Sequence, residues 1–312
     1  MGPKAAPAAL LGVDVGGTSI KAGLLPYAEL QATRMIPTAL EVVGTLPSPT
    51  GAKAVVEAVA QLVERASQSR EIEAIGVVVP GLVDDESGIG LLSTNLAWRD
   101  APIAEMLQQR LGRPVAFGHD VRAATAVEYR ALGPHVRGPV LFVPIGTGIA
   151  AGVVVDGQVI RAEGRAGELG HAPSGHHRLC GCGLIGCLEA AASARAIAEK
   201  FQELSGKEAQ SAAEVIGMVP ENPVAQQVWS EAVDALAHAL VWTASLLAPE
   251  VVVIGGGVGQ AGPQLFDPLE EALSQRLSIH RRPRLVPAHY GDRSALWGAA
   301  HLGADRASAR IV

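Results

Sequence analysis

Asp14-Val15-Gly16-Gly17-Thr18-Ser19-Ile20-Lys21 joins the apolar run Ala9–Val15 to a second one at Lys21–Leu25. Two short apolar runs around a glycine pair predict a β-hairpin. The glycines let backbone N–H groups approach phosphate oxygens closely, and the hydroxyls of Thr18 and Ser19 add donors. Asp14 would repel a phosphate unless a divalent cation lay between them, so the stretch calls for Mg2+ reached through water. An ordinary Gly–Gly hairpin is the plain alternative. Further along, Pro144-Ile145-Gly146-Thr147-Gly148-Ile149 repeats the design, with strands expected at 140–145 and 150–155. The simplest architecture is two similar α/β halves facing each other across a cleft, each offering a glycine turn to a polyphosphate. The expected division is residues 1–120 plus a returning C-terminal helix at about 290–312 as a small lobe, and 121–289 as a large lobe.

Two more features fall at strand ends. The buried run Val251–Ile254 stops at Gly255-Gly256-Gly257, expected to form a flat floor for an adenosine. Gly257 to Gly262 also satisfies G-x-G-x-x-G, but near the C-terminus and with no acidic residue at the tip of the next strand, Arg284–Pro287. A dinucleotide fold needs both an early position and that acid. Gly118-His119-Asp120 follows a short strand and opens a helix expected at 121–132. Asp120 can serve as a helix N-cap or as a base for a substrate hydroxyl attacking a γ-phosphoryl group. The neighbouring phosphate turns favour the base.

Glu168-Leu-Gly-His171 leads into Cys180-Gly-Cys182-Gly-Leu-Ile-Gly-Cys187-Leu-Glu189. Three thiols and one imidazole can close a tetrahedral zinc shell with no open position, which is a structural site. A disulfide is disfavoured because Cys-x-Cys is too tight for an easy bridge. His176 and His177 are the alternative imidazoles, ranked below His171 because the loop before Cys180 needs slack.

At 312 residues the chain suggests two lobes, and 48% hydrophobic against 18% charged residues suits a well-buried enzyme. A net charge of −6 without a basic run excludes the electrostatic footprint of nucleic-acid binding. The apolar stretch 232–248 contains Asp234 and His238 and reads as a core helix, not a membrane span. Residues 1–11 lack a signal-peptide pattern, so the expected location is the cytoplasm.

Together these motifs resemble the ROK family of sugar kinases and sugar-responsive repressors, over residues 11 to about 302. The resemblance implies the two-lobed hexokinase/actin-like ATPase (ribonuclease H-like) α/β fold. It implies ATP and a hexose as substrates, glucose first, with Mg2+ and a structural Zn2+. Asp14, Gly16, Gly17, Thr18 and Lys21 then correspond to the first phosphate loop, Gly146, Thr147 and Gly148 to the second, and Gly255, Gly256 and Gly257 to the adenosine segment. Asp120 corresponds to the catalytic base. Asn95, His119, Glu168, His171 and Glu189 lie on the sugar side, with His171, Cys180, Cys182 and Cys187 as the zinc ligands. The family usually carries Asn before the catalytic Asp, and this chain has His119. Its repressors carry a DNA-binding module ahead of the first phosphate loop, and the few residues before Leu11 favour the kinase. A homodimer or homotetramer is expected on family grounds. A non-catalytic sugar sensor, a dinucleotide-dependent dehydrogenase, a kinase for mannose, fructose, allose or an N-acetylhexosamine, and polyphosphate as donor stay open as alternatives.

Overall fold

The computed structural model describes residues 8–26 and 40–308, so part of the leading segment lies outside the described residues. The chain divides into two compact units. One holds the described residues up to Ala131 together with Arg161–Arg165 and the segment from Arg293; the other holds Leu132–Ile160 and Ala166–Asp292.

The first unit contains β1 (Ala9–Val15), β2 (Ser19–Pro26), β3 (Glu41–Pro47), β4 (Ile72–Val79), β5 (Leu82–Asp84), β6 (Ile89–Ser93), β7 (Trp98–Ala101) and β8 (Ala116–His119). Its main sheet runs β3-β2-β1-β4-β8, while β5-β6-β7 form a small antiparallel sheet. β1 pairs antiparallel with β2 and parallel with β4, which pairs parallel with β8. The second unit contains β9 (Val140–Pro144), β10 (Gly152–Val155), β11 (Gln158–Val159), β12 (Val251–Gly255) and β13 (Arg284–Pro287). Its order, β11-β10-β9-β12-β13, repeats the plan of a three-strand meander with two parallel strands added beside its first strand. The internal repeat expected from the two glycine turns is therefore a repeat of whole sheets.

β1 is buried along nearly all its length because helices cover both faces of the sheet. Ala9, Leu11, Val13 and Val15 join the core with Val55, Val59 and Leu62 of the Ala52–Ser69 helix. The opposite face carries Gly12, which meets the closing helix Ser294–Ser308. In the second unit the long helix Pro223–Leu247 anchors the core through Val228, Leu236 and Leu240. It starts cleanly because the Asn222 side chain accepts from the Val224 and Ala225 amides and Pro223 has no amide to lose. The Asp156-Gly157 turn has positive φ at both residues, as a tight two-residue hairpin between β10 and β11 requires.

Helical pattern between 188 and 204 resolves into two pieces, Glu189–Ala192 and Ala194–Ser205. Ser193 is extended between them and caps the second by accepting from the Ala196 amide. β3 and the β5-β6-β7 sheet gave no clear alternation in the sequence; β3 is mostly exposed and none of its residues is fully buried, so its apolar residues Val42, Val43 and Leu46 follow no two-residue period.

The closing helix depends on bare backbone. Gly12 and Gly76 are register partners on β1 and β4. A Cβ on Gly12 would lie 2.5 Å from the Leu296 carbonyl oxygen, and one on Gly76 would overlap the Ala299 carbonyl. Gly76→Val should therefore displace the helix and destabilise the protein by roughly 3 kcal/mol or more, on the scale of overpacking a tight core. A Tm for the variant within one degree of wild type in thermal denaturation would contradict this packing account.

Candidate active site

Parallel strands present their C-terminal ends at one edge, where ligands bind in open α/β sheets. In the first unit β1, β4 and β8 end together: Asp14 is in register with Val78, and Val78 with Gly118. Asp14 and the His119-Asp120 pair thus reach the same edge two strands apart, about 10 Å at the backbone. Lys21 sits directly across from Asp14 in the hairpin. The turn between them is closed by the Gly16 amide donating to Ser19 O (2.9 Å), and Ser48 Oγ donates to Gly16 O (2.6 Å). Asn95 packs over this turn, its Nδ2 3.1 Å from where a Cβ on Gly17 would stand. The structure therefore brings Asp14, the glycine turn, Lys21 and Asn95 together.

Asp120 opens the Asp120–Leu132 helix. Its Oδ1 accepts from the Val121 amide (2.6 Å) and faces His119 Nε2 at 3.4 Å. Among the described residues no other residue donates a hydrogen bond to Oδ2, and the side chain keeps 21% exposure. One oxygen is pinned as a cap would be; the other is uncommitted. Burial and then the nearby Asp14 carboxylate push Asp120 up to about 7, against the Val121 amide and Arg122. Burial likewise raises Asp14 to about 6, opposed by Lys21. Burial, then Arg122, holds His119 down at about 3, so the ring is neutral.

In the second unit the Gly146 turn and the Gly255 segment form one structure. Gly255 is in register with Pro144, and the Ile145 amide donates to Gly255 O (3.0 Å). Gly255 backs onto the Phe142 ring, and Gly256 has φ +73° with its α-carbon against the Ile145 carbonyl. Only Gly257 of the three faces open space. The Gly257–Gly262 stretch spans the four-residue helix Gly256–Gly259 and a break at Gly262, before a separate helix at Pro263. A dinucleotide fingerprint would open one continuous helix.

Glu189 connects this turn to the cysteine loop. Its Oε2 accepts from the Ile149 amide (2.9 Å) and lies where a Cβ on Gly148 would go, while Oε1 is 3.8 Å from Arg195 Nη2. Glu168 lies on the far side of the His171 ring, with Oε2 4.0 Å from Nε2.

His171, Cys180, Cys182 and Cys187 bring their ligand atoms within 4.8 Å of one another. His171 Nδ1 is 3.7 Å from Cys180 Sγ, and Cys182 Sγ is 3.6 Å from Cys187 Sγ. A tetrahedral zinc shell places such atoms about 3.5 and 3.8 Å apart, so the donor set fits the ion. The three cysteines are free thiols. Burial, reinforced by the other thiols, pushes Cys187 up to about 12, and a bound cation would be what makes three thiolates tolerable there. His176 is occupied otherwise: Nδ1 accepts from the Arg178 amide (3.0 Å) and Nε2 donates to Cys187 O (2.8 Å), bracing the loop.

The sequence profile of the ROK family matches residues 10–306. The chain belongs to the ROK family. A ROK relative, the glucokinase of Streptomyces coelicolor, is 30% identical over 317 residues, spanning 94% of this chain and 96% of its own. The N-acetylmannosamine kinase of Vibrio cholerae is 30% identical over 297 residues, covering 93% and 97%. The crystal structure of a ROK family glucokinase from Streptomyces griseus in complex with glucose and AMPPNP superposes with a TM-score of 0.81 at 27% identity, covering 96% of this chain and 100% of that one. The fold is accordingly that of the hexokinase/actin-like ATPases. No described helix is long and apolar enough to cross a membrane.

Sequence reasoning missed Asp85 and Arg122, a part-buried ion pair behind His119. Arg122 shares the inward face of its helix with Thr125 and Glu128, and a charged group at such a position needs a partner. That was the available signal.

Two outcomes follow from the geometry. Chelation, or Cys182→Ala, should lower the Tm of the second unit and expose the 172–188 loop to protease; unchanged melting and proteolysis after complete metal removal would contradict a structural cation. Asp120→Asn should stabilise the protein in a pH-dependent way. The stabilising contribution of a neutral Asp120 is fully present below its unfolded pKa of 3.8 and lost as pH rises through about 7. The wild type therefore carries a cost of roughly 4 kcal/mol at pH 8 that the variant lacks. Its Tm gain should be large at pH 8 and near zero at pH 4, and equal gains at both would overturn the burial argument.

Proposed function

We propose that this ATP-dependent sugar kinase phosphorylates a hexose, with glucose the first substrate and the 6-hydroxyl the acceptor. The observation that carries the reading is the uncommitted Oδ2 of Asp120, on a carboxyl raised to about 7 at the same sheet edge as the Asp14 glycine turn. A base titrating near neutrality combines an available lone pair with useful proton affinity. In the proposed step Asp120 takes the hydroxyl proton as the sugar oxygen bonds to the γ-phosphorus. The bond from that phosphorus to the β–γ bridging oxygen breaks, and ADP leaves.

Within the Gly16–Thr18 and Gly146–Gly148 turns, each closed by its first amide, the amides of Gly17, Thr18, Thr147 and Gly148 serve the phosphates, Lys21 adds positive charge, and Gly257 offers a surface without side chain to the adenosine. Asp14 is the residue to hold Mg2+, which supplies neutralisation of phosphate charge when bound. His171, Cys180, Cys182 and Cys187 would hold Zn2+, which braces the loop. Asn95, His119, Glu168, His171 and Glu189 are assigned to the sugar. The contact of Glu189 with Ile149 gives it a second duty at the phosphate turn. A homodimer or homotetramer in the cytoplasm remains part of the proposal on family grounds.

Glucose is supported by the Streptomyces glucokinases. The Vibrio N-acetylmannosamine kinase, at the same identity, supports an N-acetylhexosamine as the second reading. An ADP-release assay over glucose, mannose, fructose, allose, N-acetylglucosamine and N-acetylmannosamine should show the highest kcat/KM for glucose. A preference for N-acetylmannosamine would establish the second reading, and sugar binding without ADP release would establish a sensor. Asp120→Asn should lower kcat by roughly two to four orders of magnitude with sugar binding retained. In the wild type kcat/KM should fall tenfold per pH unit below about 7, as the base becomes protonated. Near-normal turnover of the variant would remove Asp120 from the mechanism.

A further inference from the structure

His119, at the end of β8 and next to Asp120, sits against the Asp85–Arg122 ion pair. Asp85, just beyond β5 and 15% exposed, accepts at both oxygens: Oδ1 from the His119 amide (2.9 Å) and Arg122 Nη2 (3.1 Å), Oδ2 from Arg122 Nε (2.9 Å). Arg122 is 6% exposed, and its Nη2 also donates to the Val83 carbonyl (2.7 Å). Gly118 leaves room for this carboxylate, since a Cβ there would stand 3.3 Å from Asp85 Oδ1. The Arg122 amide donates to His119 Nδ1 (3.3 Å), which places the ring proton on Nε2, the nitrogen facing Asp120 Oδ1. Arg122 Nη1 is buried with no partner among the described residues, so the guanidinium charge is incompletely answered.

We propose that the Asp85–Arg122 pair is a positioning device for the acceptor base: it ties down the turn from β8 into the Asp120–Leu132 helix, fixes the His119 ring as an Nε2–H donor, and holds a positive charge beside Asp120. This rests on the reading of Asp120 as base. A neutral side-chain amide at 119 would present both a donor and an acceptor outward; here the acceptor nitrogen is consumed by Arg122, and only the donor is left. The charged groups acting on Asp120 are Asp14, which raises it, and Arg122, which lowers it. Those around the Asp85–Arg122 pair are Arg161 (Nε 4.0 Å from Asp85 Oδ2), Glu86 through Arg161, and Asp84, whose carboxylate also feels the Arg122 charge. Removing the Arg122 charge should drive Asp120 up. Removing the Asp85 charge leaves Arg122 less compensated and should drive Asp120 down.

The test is the pH profile of kcat/KM for the best hexose in wild type, Arg122→Met, Arg122→Lys and Asp85→Asn, with imidazole 15N NMR of His119. Arg122→Met should shift the acid limb upward by about one pH unit, and Asp85→Asn should shift it downward by a fraction of that. Arg122→Lys, which keeps the charge, should leave the limb in place. The His119 ring should report a single Nε2–H tautomer in wild type and a tautomer mixture in Asp85→Asn. A merely structural pair would lower activity or Tm without opposite shifts. Superimposable profiles with an unchanged tautomer, while Asp120→Asn is inactive, would overturn the proposal and leave the base assignment standing; an active Asp120→Asn would overturn the base itself. If Arg122→Met does not fold, the Asp85→Asn profile and ring signal decide alone.

Discussion

Backbone touches backbone where the closing helix Ser294–Ser308 crosses Gly12 and Gly76, and the first unit is organised around that contact. Two glycines in register on adjacent parallel strands make a bare patch on an otherwise side-chain-covered sheet. The helix settles into it, and Gly303 on the helix meets Gly76 in return. The contact fixes β1 against β4, and β4 against β8. Those strands carry Asp14 and His119-Asp120 at their ends. A shift of one residue in either pairing would send the carboxylates to different faces, because side chains alternate along a strand.

Bringing two carboxylates to one edge has an electrostatic consequence. Each is raised by burial, and Asp120 is raised further by Asp14. The site is therefore a source of instability in the free protein at neutral pH, and the same repulsion gives Asp120 the proton affinity a general base needs. Positive charge from Lys21 and Arg122 moderates the effect without cancelling it.

In the second unit one carboxylate joins two features that looked separate. Cys187, Leu188 and Glu189 are consecutive, so the proposed metal loop ends at the residue that supports Gly148 and Ile149. The Gly146 turn in turn shares backbone hydrogen bonds with the Gly255 segment and with Ala194. Loop, turn and glycine segment are one connected stretch of backbone contacts, which ties the proposed metal loop to the geometry of the Gly146 and Gly255 turns.

The sequence by itself determined the local pieces. Apolar runs broken by Gly-Gly, Gly-Thr-Gly and Gly-Gly-Gly marked strand ends, and their recurrence announced two similar halves. The Cys-x-Cys…Cys loop with His171 identified its own partners, since metal ligands are few in kind and close in sequence. Asp120 stood out as an acid at a strand end. What only the tertiary structure decided were relations between residues far apart in the chain. The exposed β3 and the small β5-β6-β7 sheet lacked a buried face regular enough to leave a pattern. Gly12 and Gly76 read as ordinary strand residues until the helix at 294–308 was seen lying on them. Asp85 and Arg122 are 37 positions apart and signal nothing to each other in the sequence, yet they pair, and Asp85 also accepts from the His119 amide. Short-range steric and ligand preferences are written into adjacent residues; close approach and the pairing of buried charges exist only once the chain has brought distant segments together.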